Sequence, residues 1–142
     1  MRIREITEDD YSPLSYLHWL SLIEEHKEIG IETNVNYLHL RLQWNTEKPK
    51  GYLAECDSGI VGFISENMVY VSSYFMRMGI GTKLVQKLKP SEFWVAESNK
   101  RAQAFYTANG YNPTSETRMV DKLGYDIIER KWTTIPDNAC DV

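Results

Sequence analysis

The chain of 142 residues has only two cysteines, Cys56 and Cys140, and three histidines, His18, His26 and His39. None of these residues falls at the short spacings that metal sites need, so no metal is expected. Two reduced thiols suit a cytoplasmic protein, and that is the expected location. Nowhere is there an apolar run of the roughly 18 residues that a membrane helix requires. The opening stretch "MRIREITEDDY" is charged and lacks the apolar segment of a secretion signal. Repeats, low-complexity tracts and internal linkers are missing as well. One domain over residues 1–134, followed by a loose tail over 135–142, is therefore expected. Strong positive charge is missing too. The net charge is −4, which argues against a broad nucleic-acid surface.

What remains is ordinary globular material, 42% hydrophobic and 25% charged, enough for one core. "MRIREIT" alternates as a strand does. Ser12 and Pro13 resemble the cap and first position of a helix whose apolar stripe is Leu14, Leu17, Leu20 and Ile23. That helix is expected to run to about His26, with Gly30 as a stop. Asn34 is a candidate cap for a second helix carrying Val35, Leu38 and Leu42. "YLAECDSGIVGFISE" predicts a hairpin turning at Asp57-Ser58-Gly59, and "NMVYVSS" predicts the next strand. A short helix over Thr82 to Leu88, a strand at "FWVAES", a helix over Asn99 to Asn109 and two closing strands complete the order. The pattern β-α-α-β-β-β-α-β-α-β-β implies a mixed sheet with helices on its faces.

The informative stretch is "MRMGIGTKLVQKL", Met76 to Leu88. A strand runs into a glycine turn, and the turn opens a helix. It is neither G-x-x-x-x-G-K-[ST] nor G-x-G-x-x-G, so the two common phosphate loops are excluded. The physics of an anion site remains. Glycine lets backbone approach a ligand, the first helical N–H groups lack partners, and the helix dipole favours negative charge there. An ordinary tight strand-to-helix turn would read the same way. Lys83, Lys87, Lys89, Lys100 and Arg101 cluster around this stretch, either as solvated helix faces or as a local phosphate environment.

A second stretch bears on this choice. "SNKRAQAFYTANGY" follows the N-x-x-A-x-x-F-Y-x-x-x-G-F pattern through Asn99, Ala102, Phe105, Tyr106, Gly110 and Tyr111. Upstream, Val71, Gly79, Ile80, Gly81, Leu84 and Val85 follow the pattern of a strand-end valine and Q/R-x-x-G-x-G/A. Together, in this order, they resemble the GNAT superfamily of acyl-CoA-dependent N-acyltransferases, and the resemblance extends over nearly the whole chain. One position departs from the pattern, since Met76 stands where the family has Gln or Arg.

The resemblance implies an α+β fold. Its central sheet is mixed and mostly antiparallel, of about seven strands, flanked by about four helices, with two central strands splayed. It implies acetyl-CoA as co-substrate, lying in the opening between the strand ending at Val71 and the strand "FWVAES". Backbone at Val71 and Ser73 would pair with the pantetheine arm, and the N–H at or beside Val71 would polarise the thioester carbonyl. N–H groups of Arg77, Met78, Gly79, Ile80, Gly81 and Thr82 would hold the pyrophosphate, and the Asn99 side chain would bind the pantetheine arm. The Arg77 side chain faces either solvent or the CoA phosphates. Tyr106 sits where the family often has its general acid; the alternative is a core ring beside Phe105. A phenol with a pKa of about 10 can donate at neutral pH. Glu66 is the candidate base or a plain turn residue, Glu97 is a second candidate, and a water chain is a third route. Tyr70, Ser72 and Ser73 line the same strand.

The acceptor is expected to be a primary amine of a small molecule or protein. Glu24, Glu25, Glu28 and Glu32 make an acidic region that would attract a cationic amine. Trp19, Tyr37 and Trp44 would either wall its pocket or belong to the core. A homodimer is what the resemblance suggests for the C-terminal strands. The competing expectation is a non-catalytic member of the fold, binding CoA or a protein. Action on charged tRNA is disfavoured by the net charge.

Overall fold

A computed structural model describes residues 1–32, 35–66, 68–122 and 124–134. The proposed cap Asn34, the cysteine Cys140 and the tail over 135–142 lie outside the described residues. The elements are β1 (Arg2–Glu5), α1 (Tyr11–Glu28), α2 (Tyr37–Glu47), β2 (Gly51–Cys56), β3 (Gly59–Ser65), β4 (Met68–Val71), α3 (Ile80–Leu88), β5 (Glu92–Ala96), α4 (Lys100–Ala108), β6 (Asn112–Lys122) and β7 (Tyr125–Thr133). This is the order expected from the sequence, with short 3-10 turns added at Glu8–Asp10 and Ser73–Phe75. The strands form two sheets, β1-β2-β3-β4 and β5-β7-β6, and every described pairing is antiparallel.

Two compact units share the chain, Met1–Glu24 with Thr33–Lys89, and Glu25–Glu32 with Pro90–Val142. In the first, β3 is buried from Val61 to Ser65, so both faces of the sheet are covered. On one face α1 and α2 deliver Tyr11, Leu14, Leu17, Leu40 and Trp44 onto Leu53 and Phe63. Burying each such side chain contributes on the order of 1.5–3 kcal/mol. On the other face α3 buries Ile80, Leu84 and Val85. Gly62 permits that approach, because a Cβ there would meet the Ile80 and Leu84 side chains at 3.3 Å and the Tyr70 carbonyl at 3.1 Å.

Both N-terminal helices depart from the sequence expectation. α1 starts before Ser12, so Ser12 and Pro13 lie in its first turn and do not cap it. Asp10 precedes the helix as the last residue of a 3-10 turn. Its carboxylate accepts from the Thr7 N–H at 2.8 Å and from the Thr7 hydroxyl, which closes the 3-10 turn that runs into α1. Arg4 grips the same carboxylate with two nitrogens at 2.8 Å each. α2 is capped by Asn36, whose Oδ1 accepts from the His39 N–H at 3.0 Å. Its buried row is Leu40 and Trp44, while Leu38 and Leu42 are 68% and 61% exposed. The two rows are both spaced i, i+4, and spacing alone does not say which one faces the sheet.

In the second unit, Phe93 and Trp132 are paired across β5 and β7, and Phe93 stacks on Tyr106 of α4 at 4.3 Å. Tyr111 closes this core edge-on to Phe93 and donates its hydroxyl to the Pro90 carbonyl at 2.6 Å. Ile29 and Ile31 pack with Ala96 and Ile127. Gly110, just past α4, has φ of 87°, the left-handed value that glycine adopts without strain.

Candidate active site

The glycine turn is a helix start without a side-chain cap. α3 opens after Gly79, whose φ is 78°, and no side chain caps it. The first turn closes only when the Lys83 N–H reaches the Gly79 carbonyl at 3.1 Å. The N–H groups of Ile80, Gly81 and Thr82 precede it and have no acceptor within the helix. Arg77 is also left-handed, with φ of 65°. Alternation of left-handed residues with others in a turn points successive N–H groups into a concavity that suits anions. Met78 and Gly79 are exposed, and Ile80 and Gly81 are buried against the sheet, so α3 is anchored from beneath. Lys87 is turned away from the turn, with its ammonium 5.3 Å from the Tyr52 ring.

β4 lies at the end of its sheet. Its register pairs Gly62 with Val71 and Phe63 with Tyr70, and the Ser72 N–H donates to the Val61 carbonyl at 2.8 Å. In an antiparallel ladder, hydrogen-bonded and non-bonded pairs alternate. Ser72 and Tyr70 therefore bond to β3, and Val71 sends its N–H and C=O away from it. The extended edge ends there, because Ser73 begins a 3-10 turn. Ser73 is exposed in that turn and does not prolong the strand.

Glu66 occupies the turn between β3 and β4, exposed, with φ of 50°. It stands five residues from Val71, roughly 16 Å along an extended strand at about 3.3 Å per residue. Any proton it takes near Val71 must travel through water. Glu97 is paired with Arg130.

Asn99 caps α4, its Oδ1 accepting from the Ala102 N–H at 3.1 Å. Its Nδ2 takes no part in that cap. Tyr106 is 9% exposed, stacked on Phe93 and edge-on to Phe105 and Tyr111. Burial, with the Glu25 carboxylate as a smaller cause, pushes its phenol well above the ordinary tyrosine value. Such a phenol is a hydrogen-bond donor at every physiological pH. It is a weak acid beside a thiol of pKa about 8.5, so it favours donating a hydrogen bond over surrendering a proton.

Trp44 lines a cleft of about 110 Å³ together with His18, Gln43, Glu47 and Met68, whereas Trp19 and Tyr37 pack on each other and on Tyr16. His18 is the residue that sequence reasoning missed. Its Nδ1 accepts from Trp44 Nε1 at 3.1 Å and its ring lies on Tyr70. Trp44 is 26 residues away, so no local spacing betrays the pair. Among the described residues, no group of three or more His, Cys, Asp and Glu side chains is placed to hold a metal, and no helix is long and apolar enough to cross a membrane.

The α3 start thus has no side-chain cap, and β4 is an edge strand whose Val71 N–H points away from β3. Residues 47–113, just under half of the chain, match the Acetyltransferase (GNAT) domain family. The fold is similar to that of a ribosomal-protein-alanine N-acetyltransferase from Brucella melitensis, at 22% identity and TM-score 0.66, covering 93% of this chain and 98% of that one. It is also similar to yncA from Salmonella typhimurium, solved with its cofactor acetyl-CoA, at 13% identity and TM-score 0.68, covering 96% and 95%. A spermidine N-acetyltransferase, a chimera of SpeG from Vibrio cholerae and hSSAT, shares 14% identity at TM-score 0.61, covering 94% and 96%. No curated protein matches the sequence. Residues 47–113 thus resemble a GNAT acetyltransferase domain, and the fold is similar to that of GNAT acetyltransferases.

Proposed function

We propose that this chain is an N-acetyltransferase that moves an acetyl group from acetyl-CoA to a primary amine by direct attack. The observation that carries the proposal is the pairing of an uncapped α3 start with a Val71 N–H directed away from β3. The yncA structure, solved with acetyl-CoA on this fold, supports the choice of co-substrate. Residues 1–134 are taken as one catalytic domain, in keeping with a family match that runs across the boundary between the two units.

In this mechanism N–H groups from Arg77 to Thr82 hold the pyrophosphate, and the Asn99 Nδ2 holds the pantetheine arm beyond its cap. The amine nitrogen attacks the thioester carbon, and the carbonyl oxygen gains charge facing the Val71 N–H. The C–S bond then breaks, the amide forms, and the thiolate leaves against the Tyr106 hydroxyl before taking a proton from solvent. The proton lost by the amine passes through water, with Glu66 as the receiving carboxylate. The acceptor is a cationic amine of a small molecule or protein, drawn by the exposed Glu24, Glu28 and Glu32, whereas Glu25 is already paired with Lys122 at 3.3 Å. Spermidine is the acceptor that one fold relative's name gives.

The burial of Tyr106 favours a second reading, a non-catalytic module that binds CoA and uses Tyr106 only as core. Calorimetry with acetyl-CoA, with CoA and ATP as controls, comes first. Micromolar binding of acetyl-CoA with ATP silent is expected, and no binding up to millimolar would overturn the cofactor assignment. Thiol release with spermidine or a lysine peptide comes next. Tyr106→Phe is expected to lower kcat about 10- to 100-fold with acetyl-CoA affinity unchanged. An unchanged kcat removes Tyr106 from the chemistry, and no turnover with any amine favours the module.

A further inference from the structure

We propose that His18, oriented by Trp44, is a positioning residue that fixes the Tyr70–Val71 peptide so that the Val71 N–H meets the thioester oxygen. This rests on the proposed oxyanion role of Val71. The N–H of Val71 and the C=O of Tyr70 belong to one planar unit, so turning one turns the other. Whatever holds Tyr70 therefore aims that N–H.

Downstream the strand stops. β4 ends at Val71, and a 3-10 turn follows from Ser73, with the Ser72 bond to the Val61 carbonyl between them. The ladder bonds of Tyr70 to β3 hold this peptide on one side, and the side chain of Tyr70 is a second clamp. Its ring packs against both Phe63, with centroids 5.8 Å apart, and His18, at 5.2 Å and tilted by 33°, the three rings meeting as a triangle. The His18 ring crosses Phe63 edge-on at 5.8 Å, so it can pack in this attitude only while its own rotation is fixed. Trp44 fixes it. The indole N–H donates to Nδ1 at 3.1 Å, which assigns the neutral tautomer with its proton on Nε2. The indole is locked in turn against Tyr11 at 5.7 Å and Phe63 at 5.4 Å. A chain of contacts thus runs from α2 through α1 to the last peptide of β4, all within one compact unit.

Errors of about an ångström in the placement of a reacting group can cost about a hundredfold in rate, so a loosened clamp should be visible in turnover. The test uses three variants. Trp44→Phe keeps a ring and removes the donor. His18→Phe keeps a ring and removes the acceptor. His18→Asn returns an acceptor near Nδ1 without the ring. Thermal melts by circular dichroism establish that each is folded, and Trp44→Phe carries the test if His18→Phe does not fold. The primary readout is the infrared carbonyl stretch of acetyl-CoA labelled with carbon-13 at the acetyl carbonyl, bound to saturation. Turnover is read as thiol release with spermidine as acceptor.

Wild-type protein should shift the carbonyl to lower wavenumber on binding. Trp44→Phe and His18→Phe should each lose at least about half of that shift and about tenfold in kcat, with acetyl-CoA affinity within about twofold. The double variant should be no worse than the more damaged single variant, because both act through one contact. His18→Asn should fail to restore the shift, since the ring is what touches Tyr70. A wild-type shift that survives Trp44→Phe and His18→Phe overturns this proposal alone. Binding of acetyl-CoA by wild type with no carbonyl shift overturns the Val71 assignment and this proposal with it.

Discussion

The two compact units offer a ligand different materials. In the first, the candidate cradle at Gly79 to Thr82 is backbone, with side chains turned down into the sheet or out to solvent. In the second, the candidate groups Asn99 and Tyr106 are side chains that already have structural work, one as a helix cap and one as a core ring. Backbone N–H groups survive most substitutions, so the first unit should tolerate sequence change at its cradle. Side chains with two tasks should not, and altering one of them should cost stability as well as any activity.

Three measurements set out to break that contrast, the largest effect first. Replacing Tyr106 by Ala empties a nearly buried aromatic site stacked on Phe93. A loss of about 3–5 kcal/mol is expected, confined to the second unit, read by urea unfolding with amide exchange to locate it. A loss below about 1 kcal/mol would mean that the ring can leave the core freely, and the contrast would fail.

Acid should separate the units next. In the first, Arg4 holds the Asp10 carboxyl down at about 2, against an ordinary 3.8, with the Thr7 bonds assisting. A depressed folded pKa contributes stability above the unfolded value, here about 2 kcal/mol, lost as pH falls from about 4 toward 2. In the second unit, burial lowers the pKa of His26 below its ordinary 6.5; the neighbouring Lys122 acts in the same direction and Glu25 opposes it. His26 is 4% exposed, and its Nδ1 has no hydrogen-bond partner among the described residues. The unfolded chain therefore binds a proton first, and stability falls as pH drops below about 6.5. Amide exchange around Glu25–Glu32 should accelerate, after correction for intrinsic rates, between pH 7 and 5. Exchange in α1 near Asp10 should hold until about pH 4. Simultaneous loss in both places would show one cooperative body instead of two thresholds.

The smallest effect is the most specific. Met76→Gln restores the residue type usual for the family pattern. If the cradle is backbone, acetyl-CoA affinity should change by less than about twofold in calorimetry, under about 0.5 kcal/mol. Tightening of tenfold would reveal a side-chain ligand at that position and erase the contrast from the other side.

Much of this was legible in the chain. The order of elements follows from local periodicity and turn residues. The hairpin at Asp57 and Ser58, the stop at Gly110 and the glycine opening of α3 all sit where they were expected. Local chemistry decides such features, because a left-handed turn or a helix end is settled within a few residues. Gly79 marks the left-handed start of α3 for the same reason.

Tertiary structure decided the rest. It chose Leu40 and Trp44 over Leu38 and Leu42 as the buried row of α2, since two rows of equal spacing compete for one sheet face. It moved the start of α1 back to Tyr11, because Arg4 on a neighbouring strand holds the Asp10 carboxylate in place. It put Glu66 in an exposed turn and buried Tyr106, which no motif spacing reports. It also brought Trp44, His18 and Tyr70 into contact across distances in sequence that no local pattern spans. Sequence fixes what each segment can become. Packing decides which of its faces is used, because burial is paid for only once the partner surface exists.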